Sequence, residues 1–129
     1  MSEPAYSYRP DQTPISPAAE RNLGAISHVV PAVAMVLSAG TLGFIGSLVI
    51  YLLYKDRGPF VRQHAANSLN VQIMTGIILL ISLPLMLVLV GFVTFPLALV
   101  WAGVLHVIGA IRASKGEWWN PPLTPRFVR

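Results

Sequence analysis

Four polar side chains stand inside or beside long uncharged stretches, and they are where any chemistry of this chain has to start. His28, Asn70 and His106 lie well within apolar sequence, and His64 sits close to a basic turn. Imidazole is the side chain whose ordinary titration falls nearest neutral pH, so buried histidines raise a proton- or ligand-responsive site. His106 continues a row of small residues, Ala98, Ala102 and Ala110, at helical i+4 spacing. Small residues let helices approach closely in lipid, so this row should face protein. Six residues separate His106 from Arg112, which is about 9 Å of helical rise. His28 lies at a similar depth beyond Arg21, and Asn70 is expected to join both in one polar layer. The plainer alternative is interhelical hydrogen bonding between neutral side chains, and it outweighs the responsive site because membrane polar contacts commonly serve packing. No carboxylate or thiol joins the histidines and no two are spaced i, i+4. A metal site is therefore not expected, nor is any cofactor.

A second group is basic. Lys55, Arg57, Arg62 and His64 surround a short loop, where they suit anionic lipid headgroups or simply fix orientation in the membrane. Asp56 is expected to pair with Arg57 or Arg62, or to cap the next helix. General acid–base work would need a second positioned group and a pocket. No cluster of acids, nucleophile–base set or metal ligands occurs, so the chain is not expected to be an enzyme.

The elements that carry these residues follow from the placement of charge. All nine Lys and Arg and all five Asp and Glu fall outside Leu23–Tyr54 and Gln63–Ile111. A charge at mid-bilayer costs several kcal/mol, about 3 on insertion scales, so such stretches read as membrane-spanning. With 54% hydrophobic and 11% charged residues, too little is polar for a soluble shell. The expected fold is an all-α integral membrane protein with four transmembrane helices arranged as two hairpins. Ser16-Pro17 starts the first helix, about 17–37, and Ser38–Gly43 turns into the second, about 42–54. Pro59 opens a third helix over about 59–90, with a kink near Pro84. Gly91–Pro96 is the second turn, and the fourth helix covers about 95–115 before a stop at Gly116. Within the uncharged stretch Leu23–Tyr54 the two helices have only about 20–25 Å each, short for a bilayer of about 30 Å, so that hairpin is short or re-entrant.

Residues 1–16 read as a Pro-rich disordered tail with no signal peptide, 17–116 as the membrane domain, and 117–129 as an extended tail. With four crossings every Lys and Arg lies on one side, which the positive-inside bias makes cytoplasmic. Both termini are then cytoplasmic and the protein belongs in a bacterial plasma membrane. The net charge of +4 comes from residues flanking apolar segments, which favours anionic headgroups over nucleic acid. Cysteine is absent, excluding disulfides and thiol chemistry.

The run Gly43 to Ile73, with Lys55-Asp-Arg-Gly-Pro-Phe-Val-Arg-Gln-His-Ala65 at its centre, resembles the small bacterial membrane proteins of a domain-of-unknown-function family (DUF forty-eight-seventy), called Tic-twenty-like for their likeness to a chloroplast import component. Lys115-Gly-Glu-Trp-Trp119 and Pro122-Leu-Thr-Pro-Arg-Phe-Val128 fit the same pattern. The resemblance implies a four-helix membrane fold and no established activity. The expected function is a scaffold or accessory subunit that packs against an unknown membrane partner or against itself. The alternative is a component of an oligomeric translocation channel. A monomer of short helices has no room for an aqueous lumen and no intramembrane charge to couple ions.

Overall fold

The computed structural model describes residues 15–129; the reading of an N-terminal tail falls almost wholly on 1–14, outside the described residues. Four helices follow in order: α1 (Pro17–Leu37), α2 (Gly43–Tyr54), α3 (Pro59–Leu85) and α4 (Gly91–Ser114), with a 3₁₀ turn, Met86–Val88, after α3. No strand occurs among the described residues.

Local chemistry accounts for the ends. The Ser16 hydroxyl accepts from the Ala19 amide at 3.1 Å, and Pro17 occupies the first helical position, where its missing N–H costs nothing. At the other end of α1, Gly40 N–H reaches back to the Met35 carbonyl at 2.8 Å. Ala39 takes the left-handed conformation (φ 52°) that this closure requires. α4 ends in the same manner, with Glu117 N–H on the Arg112 carbonyl at 2.9 Å. Here the left-handed residue is Gly116, φ 74°, and Gly adopts it without steric cost.

The second turn lies earlier than Gly91–Pro96. It is made at Leu89, φ 67°, and α4 already begins at Gly91. Pro96 therefore stands inside α4, with no N–H to offer the carbonyl one turn back. The early start is set by contact with α3: the Thr94 and Ser82 hydroxyls bond at 2.7 Å. A Cβ on Gly91 would collide with the Ser82 carbonyl and the Met86 amide.

Close approaches fix the directions of the helices. Moving up α1 and into the turn that follows it, Gly24 faces Ala113, His28 faces Gly109, and Gly40 faces Leu99. The α4 numbers fall as the α1 numbers rise, so the two are antiparallel. Against α3 the numbers rise together, from Phe60 and His64 at Gly24 to Leu79 at Gly40. α2 runs against α3, with Gly43 at Gln72 and Ser47 at Ser68.

Polarity is reversed relative to a soluble domain. Ser27, His28, Ser47, His64, Asn70, Gln72, Thr75 and His106 are buried, while Val36, Leu37, Leu80, Leu87 and Val100 are exposed. α3 with its 3₁₀ extension (Pro59–Val88) and α4 are each long and apolar enough to cross a membrane. α2 has 12 residues, which at about 1.5 Å each fall well short of a hydrocarbon core of about 30 Å.

Candidate functional site

The interior of the bundle contains a continuous chain of polar side chains drawn from three helices. Gly109 makes it possible. It leaves α4 bare opposite α1, and the His28 ring lies in the space, its two nitrogens only 2.6 Å from where a Cβ would stand. From there His28 reaches both neighbours: its Nδ1 is 3.4 Å from His106 Nδ1, and its Nε2 is 3.2 Å from His64 Nδ1. His64 Nε2 lies 2.9 Å from the Glu117 carbonyl. At the other end, Gln72 Nε2 is 2.8 Å from His106 Nε2 and 3.6 Å from Met35 Sδ. Phe60 and Trp119 rings close over the group, with centroids 4.7 Å from His64 and 6.1 Å from His28.

One end of the chain dictates every proton in it. A carbonyl only accepts, so His64 Nε2–H donates to Glu117. Neutral His64 must then accept at Nδ1, from His28 Nε2–H. Neutral His28 in turn accepts at Nδ1 from His106 Nδ1–H, and His106 accepts at Nε2 from the Gln72 amide. Three neutral imidazoles thus satisfy every ring nitrogen, with tautomers Nε2–H on His64 and His28 and Nδ1–H on His106. In a medium without water that consistency matters, because an unpaired buried polar group costs about 1–3 kcal/mol.

His28 and His106, placed together by sequence, do meet here. Asn70 does not join them. Its amide instead pairs with the backbone of Val128, accepting from the N–H at 2.8 Å and donating to the C=O at 2.9 Å. Asn67 donates to the Trp119 carbonyl. The Tyr51 hydroxyl and Arg62 both donate to the Arg129 carbonyl, at 2.8 Å and at 3.0 and 3.1 Å. The chain beyond Gly116 is thereby laid back along α3. Replacing Asn70 with leucine should free this segment. Protease cleavage within 117–129 should accelerate about thirtyfold, as expected for losing two part-buried bonds of about 1 kcal/mol each; unchanged cleavage would mean that Asn70 does not retain it.

Of the basic group, Lys55 stands over the Tyr51 ring at 5.9 Å and Arg57 lies in the α2–α3 turn. Arg62 is committed to Arg129, and His64 turns inward. His64 and Gln72 were both missed as members of the interior chain. Their signal was the separation of eight residues, close to two turns, which puts them on one face of α3. Among the described residues no group of three or more His, Cys, Asp or Glu is arranged around a metal position. His28 presents different nitrogens to its two neighbours, so one ion could not engage all three rings as they stand.

A family model described as the magnetosome magnetite crystal formation protein family matches residues 19–128. No curated protein and no solved structure matches the chain. The family match overturns the Tic-twenty-like resemblance drawn from Gly43–Ile73 and the tail. A basic turn, a proline-started helix and Trp residues at a membrane edge are what insertion and helix starting demand of many small membrane proteins. They do not discriminate between families. Nearly the whole apolar region and the chain beyond it fall within the match, and the protein belongs to the magnetosome magnetite crystal formation family.

Proposed function

We propose that this chain is a small, non-catalytic membrane subunit that organises a protein assembly in the membrane where magnetite forms. The reversed polarity of the bundle carries this reading. Apart from Gln63, whose buried amide has no hydrogen-bond partner, interior polar groups are spent on one another, on helix carbonyls and on the segment beyond Gly116, and the outward faces are apolar and suited to lipid or to another membrane helix. The family's description as one of magnetosome magnetite crystal formation supplies the setting. Native mass measurement of the detergent-extracted protein tests it: a homo-oligomer or a co-purifying membrane partner is expected, and a solitary monomer would count against it.

The topology we favour has four crossings, with the first hairpin short or re-entrant. Both termini and the Lys55–Arg62 loop face the cytoplasm. It is supported by the gathering of Arg21, Lys55, Arg57, Arg62, Arg112 and Lys115 at one end of the bundle, where anionic headgroups would meet them. The chain has no cysteine, so single cysteines at Thr41 and Arg57 report cleanly. In membrane vesicles isolated with the cytoplasmic face outward, an impermeant thiol reagent should label position 57 and spare 41. The opposite pattern would reverse the topology.

A further inference from the structure

The geometry points to His28, His64 and His106 as a binding site for a single proton shared among three imidazoles, with rotation of the Gln72 amide as its switch. In the neutral chain each hydrogen bond runs one way, from Gln72 to the Glu117 carbonyl. An added proton leaves one ring with two N–H groups. If it enters at His106 Nε2, that N–H faces the Gln72 amide nitrogen at 2.8 Å, donor against donor. A half-turn of the Gln72 amide puts Oε1 there instead, and the bond reforms with a charge on it.

The same rotation serves the proton on any of the three rings. With Gln72 Oε1 accepting from His106 Nε2–H, the proton between His106 and His28 can belong to either Nδ1. The proton between His28 and His64 can likewise belong to either facing nitrogen. His64 Nε2–H continues to donate to Glu117 throughout. The sum is three neutral imidazoles plus one proton giving one imidazolium, with every ring N–H bonded. A second proton finds no such arrangement, because two N–H groups would have to face each other at 3.2 or 3.4 Å. The site therefore takes one proton and resists the next.

The surroundings allow a charge to be confined to this chain. The groups packed on the rings are Phe60 and Trp119, Gly109 and, beyond Gln72, Met35. Charged groups lie at the basic end instead. The Glu117 carboxylate pairs with Arg112 at 2.7 Å, so that only its backbone faces His64. Arg21 from α1 lies against Gly116, Glu20 sits beside it in the first turn, and Arg62 on α3 is bonded to Arg129. Of the two tyrosines of α2, the buried one is Tyr51, whose hydroxyl is likewise bonded to Arg129. The rotation gives up the amide-to-sulfur contact with Met35, which sets a preference for the neutral state. Growth of an iron oxide from iron ions and water releases protons, a natural source of the titrant. That link rests on the proposed function, whereas the titration below tests the site by itself.

The experiment is an acid titration of the full chain in lipid bilayers with ¹⁵N-labelled histidine, read by ring-nitrogen resonances. At neutral pH one Nδ1–H and two Nε2–H tautomers are expected. On acidification all three rings should shift together, with one proton taken up per chain. Gln72→Leu removes the acceptor that the charged state needs. It should lower proton affinity roughly fivefold to tenfold, since bonds to charged groups are about twice as strong as neutral ones. Gln72→Glu places a carboxylate there and should raise the affinity at least tenfold. Three rings titrating separately, no uptake before the bundle unfolds, or affinities indifferent to position 72 would each overturn the proposal. The wild-type titration decides it even if neither variant folds.

Discussion

Replacing Gly109 with alanine is expected to destabilise the bundle by about 2–4 kcal/mol, the sum of overpacking and a weakened interior hydrogen bond. The new methyl group would stand 2.6 Å from each His28 ring nitrogen. A long flexible side chain could swing clear of such a contact, but His28 is fully buried and bonded at both nitrogens. Moving the ring separates it from His106 or from His64, and moving α4 opens the packing at Gly24 and Ala113 as well. Thermal unfolding in detergent should show the loss directly. Gly76→Ala is the control: a Cβ there meets nothing within 4 Å, and alanine favours helix by about 1 kcal/mol over glycine. A Gly109→Ala protein as stable as wild type would show that the His28 cleft is looser than the packing implies.

The sequence made the helices legible because charge, proline and turn chemistry all act locally. Ser16-Pro17 and Gly58-Pro59 each start a helix, and Gly116 ends one, by rules that need no knowledge of the rest of the chain. Pro96 misled for the same reason. Local preference puts proline in a first turn, but the close approach of Gly91 to Ser82 and Met86 lets α4 start earlier, with Pro96 inside it. The pairing of His28 with His106 could be read from depth alone, since both lie a similar rise from their basic ends. Asn70 is at a compatible depth too, and what separated it was angle. α3 carries two polar faces: Gln63, Asn67 and Asn70 lie on one, and Asn67 and Asn70 meet the segment beyond Gly116. His64 and Gln72 lie on the other and meet α1 and α4. Depth is written in residue counts, whereas the assignment of faces depends on which neighbour covers them. That neighbour was a tail whose amide and carbonyl contacts leave no side-chain signature. His64 was read with Arg62 as part of a basic loop because they are two residues apart. On a helix that spacing sends the two to different sides.

Replacing His28 with alanine should cost about 3–5 kcal/mol, and its dependence on Gly109 separates the two contributions to that loss. His28 is the only ring bonded to both others. Without it, His106 Nδ1–H and His64 Nδ1 are left without partners in an interior that has no water to offer, and a cavity of imidazole size adds to the penalty. His28→Leu would fill much of the volume while leaving the same two groups unpaired, so the gap between the leucine and alanine variants measures the cavity alone. The cavity also removes the obstacle that makes Gly109→Ala harmful. In the His28→Ala background, Gly109→Ala should therefore cost less than about 1 kcal/mol, giving a coupling of about 2 kcal/mol between the sites. Equal costs for Gly109→Ala in both backgrounds would show that the penalty comes from helix spacing rather than from the ring. That result would also remove the reason for regarding Gly109 as the residue that seats the histidine chain.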